Sequence, residues 1–195
     1  MSGFLVATAV SFGVIFVAEL GDKSQLMALT FATKFRALPV LIGITIATAI
    51  VHAVSVAVGY GLGATLPTGW IALVAAIAFL AFGAWTLRGD TLTDEERSKA
   101  EKTTKSAIVA ASVAFFLAEL GDKTMLATIT LATQYGWFGT WLGSTIGMVA
   151  ADALAIVVGR SLGRHLPEKA IKYGAAALFF IFGIWLLIDA IAELA

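Results

Sequence analysis

Ala18-Glu-Leu-Gly-Asp-Lys-Ser-Gln-Leu26 recurs 100 residues later as Ala118-Glu-Leu-Gly-Asp-Lys-Thr-Met-Leu126, with seven of the nine positions identical. Each copy sets two carboxylates, an ammonium and a hydroxyl inside a long apolar run. Ionisable groups inside a hydrocarbon layer are costly, so they mark a functional site by default. The fold follows from what surrounds them.

The chain has 195 residues, of which 59% are hydrophobic and only 13% charged, and its mean hydropathy is +0.93. A soluble domain of this length is much more polar. Several apolar runs reach the length of about 20 residues that spans a bilayer as a helix. The alternating segments of about ten residues that build a membrane β-barrel are missing. The composition therefore predicts an all-α integral membrane protein. With no cysteine in the chain, thiolate metal sites, disulfides and cysteine nucleophiles are excluded. Met1-Ser-Gly-Phe lacks the basic region of a signal peptide, so the first apolar run is expected to stay in the mature protein.

The apolar runs predict six transmembrane helices, at about 3–33, 38–63, 69–87, 106–133, 137–163 and 169–191. One gap-free offset relates the two halves. Gly43 answers Gly143, Gly59 answers Gly159, Gly63 answers Gly163, Leu66-Pro67 answers Leu166-Pro167, and Gly83-x-Trp85 answers Gly183-x-Trp185. Such self-similarity is the mark of an internal duplication. Three helices is an odd number, so the second unit must enter the membrane from the opposite side, giving two inverted three-helix repeats. The expected division is residues 1–88 for the first repeat, 89–105 for a charged cytosolic linker and 106–195 for the second repeat.

The distribution of basic residues agrees with inversion. Apart from Lys23 and Lys123, every Lys and Arg lies in or at the edges of three loops: Lys34 and Arg36; Arg88, Arg97, Lys99, Lys102 and Lys105; Arg160, Arg164, Lys169 and Lys172. Under the positive-inside rule these loops face the cytosol, and both termini lie outside it. The linker mixes five acids with its bases and reads as a solvated connector. Gly59-x-x-x-Gly63 and Gly159-x-x-x-Gly163 read as close helix contacts. The five tryptophans fall near predicted helix ends, where aromatic belts sit.

A straight helix of about 30 residues measures roughly 45 Å against a hydrocarbon core of about 30 Å. The first and fourth helices must therefore tilt or break, and Gly21 and Gly121 are the weak points. Broken helices are tolerated at membrane depth where the freed backbone lines a polar cavity. Glu19 and Asp22 share a face of an intact helix, as do Glu119 and Asp122. Inversion lets these four carboxylates converge between the repeats. Ser24, Gln25 and Thr124 can supply neutral oxygens. An all-oxygen set suits Ca²⁺, Mn²⁺ or Mg²⁺ rather than Zn²⁺ or Cu⁺. Met27 and Met125 lie nearby, as soft ligands or as packing.

Charge arithmetic supports a cation site. Six motif charges left unpaired would cost on the order of 15–20 kcal/mol on an insertion scale. Lys23 and Lys123 neutralise two of the four acids, and one divalent cation or two protons balance the rest. Metal and protons competing for the same acids is the arithmetic of an exchanger. In the second predicted helix stands His52, whose repeat-mate in the fifth is Asp152; either can relay protons or support the site from behind. The alternative for the motif is a structural ion-pair network, which two copies in inverted repeats make the weaker reading.

Glu19-x-Gly21-Asp22-Lys23-Ser24 and Glu119-x-Gly121-Asp122-Lys123-Thr124 resemble the duplicated E-x-G-D-[KR]-[ST] signature of the Golgi and bacterial manganese/calcium exporters. These form the second calcium:proton antiporter family, within the lysine-exporter superfamily. The resemblance covers the whole chain, and both motifs are intact. It implies export of Mn²⁺, and in some members Ca²⁺, from the cytosol in exchange for protons, with the acids of both motifs on the metal. The ion is substrate, and no permanently bound cofactor is implied. Partners are then the ion, protons and the lipid bilayer, without nucleic acid; a homo-oligomer is left open. The compact form resembles bacterial members, which places it in the inner (plasma) membrane.

Two other readings compete. A small amino-acid exporter of the wider superfamily would need a cationic pocket, whereas this site carries excess acid. An intramembrane aspartyl protease would use a G-x-G-D pattern, but Glu19 stands at the first glycine and Lys23 beside Asp22 would disturb a shared-proton pair. No enzyme is expected. A passive channel is the remaining transport alternative.

Overall fold

The computed structural model describes residues 3–64, 68–88, 106–162 and 168–194. The linker at 89–105, Pro67, Gly163 and Pro167 lie outside the described residues. Those residues form eight α-helices and no strand: α1 (Gly3–Glu19), α2 (Lys23–Lys34), α3 (Ala37–Gly63), α4 (Thr68–Arg88), α5 (Ala107–Glu119), α6 (Lys123–Gln134), α7 (Trp137–Leu162) and α8 (Glu168–Leu194). The order of elements repeats, with α1–α4 matched by α5–α8. Two expected single helices, at 3–33 and 106–133, are each two helices. The break in both falls within the motif, and α1 and α2 are bent by 74°.

The breaks have a local cause. Gly21 and Gly121 hold φ of +76° and +82°, and among the described residues no other takes a positive φ. That region suits a residue without a Cβ. In each half the turn is closed by the Asp N–H donating to the Glu carbonyl three residues back, Asp22 to Glu19 at 3.1 Å and Asp122 to Glu119 at 3.2 Å.

The helices are apolar on their outward faces as well as their inward ones. On α3, Ile42, Ile46, Ile50, Val54 and Val58 recur every four residues and are all exposed, while Val40, Ile44, Ala47 and Val51 on the other side are buried. A stripe of that kind is solvated by hydrocarbon rather than water. Helices α3 and α7 are each long and apolar enough to cross a membrane, and the bent α1–α2 pair passes as a third such span.

The two halves interlock. Helix α1 packs along α7, and α3 packs along α5. Glycines at equivalent positions allow both approaches. A Cβ on Gly43 would lie 2.6 Å from the Ile108 carbonyl, and one on Gly143 would collide with the Thr8 carbonyl. Gly59 and Gly63 bring α3 onto the Ile129 and Thr133 carbonyls of α6. Helices α4 and α8 form a closely packed pair, with Gly83 against the Phe180 ring and Gly183 against Leu80. One core cluster gathers Met27, Phe31, Ile44 and Phe115, and another gathers Ile15, Phe79, Met148 and Phe179. Met27 is therefore packing. Trp70, Trp137 and Trp185 are exposed, whereas Trp141 is tied inward, its indole N–H donating to the Ala49 carbonyl at 2.9 Å.

Candidate metal centre

Each break delivers one carboxylate from the end of a helix and another from the start of the next. Glu19 is the last residue of α1 and Asp22 precedes α2; Glu119 and Asp122 stand at the same places around α5 and α6. All four acids are buried. Glu19, Asp22 and Glu119 each present an oxygen such that the three lie within 4.8 Å of one another. Asp122 is not in this trio. It faces Lys23, with Nζ to Oδ1 at 3.5 Å.

The lysines cross between the halves. Lys123 Nζ is paired with Asp22 Oδ1 in a buried contact, and Lys23 is paired with Asp122. A lysine beside an aspartate in sequence thus neutralises the aspartate of the other copy. The two pairs are not equivalent: Lys123 has 3% of its side chain exposed and Lys23 18%.

The hydroxyls take separate acids. Thr124 Oγ1 donates to Glu119 Oε2 at 2.7 Å, and Ser24 Oγ donates to Asp22 Oδ2 at 3.2 Å. Gln25 is committed elsewhere. Its Oε1 accepts the Gly21 N–H at 2.8 Å, and its Nε2 donates to the Ala151 carbonyl on α7 at 2.8 Å. It pins the break rather than facing the acids. Met125 holds the same place in the other half, its sulfur accepting the Gly121 N–H at 3.2 Å. Asp152 is fully buried on α7. His52 sits at the contact of α3 with α7, its Nδ1 3.4 Å from Thr145 Oγ1.

Several acceptor oxygens at this centre have no hydrogen-bond partner: both of Glu19, Oε1 of Glu119 and both of Asp152. Buried polar atoms are nearly always satisfied. Orphan carboxylate oxygens this close together call for a cation or protons. The donor set is all oxygen, as a hard divalent ion requires.

Buried acids between broken, apolar helices define a membrane transport protein rather than a soluble enzyme. The family model of the divalent cation/proton antiporter GDT1 matches twice, over residues 7–94 and 107–194, so the chain belongs to the GDT1 divalent cation/proton antiporter family. It is 32% identical to a Vibrio cholerae protein named "Putative manganese exporter", over 90% of this chain and 88% of the relative. It is 31% identical to GDT1-like protein sll0615 of Synechocystis, over 88% of this chain and 91% of the relative. It is 32% identical to the chloroplastic GDT1-like protein 2 of rice, and spans 60% of that longer relative. No solved structure matches significantly. The family consists of transporters, which sets aside the protease reading; its cargo is divalent cations and protons, which sets aside the amino-acid exporter.

Proposed function

We propose that this protein exports Mn²⁺ from the cytosol in exchange for protons, with Ca²⁺ as a second substrate. The observation that carries the reading is the trio of Glu19, Asp22 and Glu119, which bring one oxygen each to within 4.8 Å of one another, while both Glu19 oxygens and Oε1 of Glu119 have no hydrogen-bond partner. An ion among them would draw ligands from both halves. Asp122 acts through Lys23, Ser24 and Thr124 orient Asp22 and Glu119, and Asp152 is the fourth nearby acid, a place for a proton when the metal leaves. His52 supports α7 through Thr145.

Six spans in two inverted repeats, 1–88 and 106–195, with the linker 89–105 and both termini on opposite sides of an inner membrane, supply the access from both faces that exchange requires. The repeated order of helices and the double family match support the duplication. The basic loops support the orientation. Metal binding to carboxylates competes with protons, and that competition couples the two fluxes.

The test is Mn²⁺ uptake into proteoliposomes under an imposed pH gradient, with wild type, Glu19→Gln and Asp122→Asn. Uptake driven by the gradient and lost in Glu19→Gln is expected. Uptake that is absent in wild type, or unchanged in both variants, refutes the reading. Uptake indifferent to the gradient removes proton exchange.

A further inference from the structure

We infer that Lys123 is a tethered counter-cation that occupies the empty site and must be expelled from Asp22 when the metal enters. The inference rests on the metal-site reading above and adds a residue that sets affinity and turnover.

The three acids of the trio are not equally available. Both Glu19 oxygens and Oε1 of Glu119 lack a hydrogen-bond partner. Both Asp22 oxygens are occupied: Oδ2 accepts the Ser24 hydroxyl at 3.2 Å, and Oδ1 is paired with the Lys123 ammonium. An ion bridging the trio needs one Asp22 oxygen. Ser24 is neutral and can stay beside a metal-bound carboxylate. An ammonium in contact with Asp22 would sit roughly 5 Å from a divalent ion, estimated from metal–oxygen distances of about 2.3–2.6 Å. Like charges that close in a poorly screened interior repel strongly. Lys123 has almost no access to water, so solvent does little to weaken the repulsion. Lys23 is more exposed and its partner Asp122 is outside the trio, so this argument singles out Lys123.

The consequence is a site whose empty form is stabilised by its own side chain. Affinity is lowered, because each binding event breaks the Lys123–Asp22 pair. Release is favoured, because the ammonium is tethered one helix terminus away and re-forms the pair. Removing the charge should tighten binding and slow turnover together, whereas a purely structural lysine would weaken both.

The experiment is calorimetric titration of MnCl₂ into the purified full chain at fixed pH, alongside the proteoliposome rate, for wild type, Glu19→Gln, Lys123→Gln, Lys123→Arg and Lys23→Gln. Lys123→Gln is expected to lower Kd by at least about tenfold and to reduce the maximal rate. Lys123→Arg keeps the charge and grips a carboxylate through two parallel hydrogen bonds, so its Kd should rise. Lys23→Gln should shift Kd much less than Lys123→Gln. If Lys123→Gln fails to fold, the neutral Lys123→Met takes its place with the same expected fall in Kd; a Kd that rises in the neutral variant is the mark of a purely structural lysine and overturns the inference. If wild type binds Mn²⁺, Glu19→Gln does not, and the Lys123 variants that fold keep the wild-type Kd, the counter-cation inference is wrong and the metal site stands. If wild type binds no Mn²⁺, or Glu19→Gln binds like wild type, the metal site itself is refuted and the inference falls with it.

Discussion

Lys123, the first residue of α6, is paired with Asp22 at the head of α2, on the opposite half of the molecule. Lys23 and Asp122 complete the exchange at 3.5 Å. Each half therefore carries the counter-charge of the other, and neither motif is electrically complete alone. The pairs hold two broken helices face to face and leave a trio of acids between them.

The breaks depend on two glycines. Gly121→Ala places an L side chain at φ +82° with no atom within 4 Å of the new Cβ, so its cost is purely conformational. That cost is about 1–2 kcal/mol. Gly13 is helical and equally uncrowded, so Gly13→Ala should be neutral or stabilising by up to about 1 kcal/mol. Thermal unfolding in detergent separates the two outcomes; equal Tm values for Gly121→Ala and Gly13→Ala would refute the backbone argument.

Gln25 ties the Gly21 N–H to the Ala151 carbonyl, while Met125 offers only a sulfur acceptor. Gln25→Leu leaves the part-buried Gly21 N–H without its acceptor and removes the tie to the Ala151 carbonyl of α7, and should cost about 1–3 kcal/mol. Met125→Leu should cost clearly less. Chemical denaturation of both variants in the same micelle checks the order, and a reversed order contradicts the assigned roles.

Thr124 donates to Glu119 Oε2 at 2.7 Å. Groups that orient a metal ligand typically account for about 10–100-fold in affinity. Thr124→Val should weaken Mn²⁺ binding on that scale, and Thr124→Ser should recover most of it. Equal Kd values for the Val and Ser variants would show that the hydroxyl does not position the acid.

If the trio binds the metal as proposed, protons compete for the same oxygens, because a ligand must be deprotonated to bind. Apparent Mn²⁺ affinity should therefore fall as pH is lowered on the binding side. Asp152 lies outside the trio, so Asp152→Asn should keep binding while reducing the effect of a pH gradient on transport. Titrations at several pH values, paired with gradient-driven uptake, measure both; an unchanged gradient dependence would remove Asp152 from proton transfer.

Much of this was legible in the residues. The duplicated motif, the offset of 100 and the hydropathy gave the helical membrane class and the paired glycines, and the signature gave the family. The weak points at Gly21 and Gly121 followed from a helix too long for a bilayer. Other features were hidden because they lie between halves. Sequence spacing placed Lys23 beside Asp22, whereas packing of the halves sends each lysine across to the other aspartate. Four acids were expected to converge, yet three form the trio and Asp122 faces Lys23 instead. Gln25 looked like a ligand because amide oxygens bind hard ions; the unsatisfied N–H created by the helix break claims it instead. That last signal was readable, since a glycine break followed by an amide four residues later offers the contact.

The most direct test is a crystal structure of the protein grown with MnCl₂, with anomalous diffraction measured across the manganese absorption edge. The account predicts one anomalous peak among Glu19, Asp22 and Glu119, with the Lys123 ammonium withdrawn from Asp22. A manganese peak elsewhere, or none with the Lys123–Asp22 pair intact under saturating metal, would contradict it.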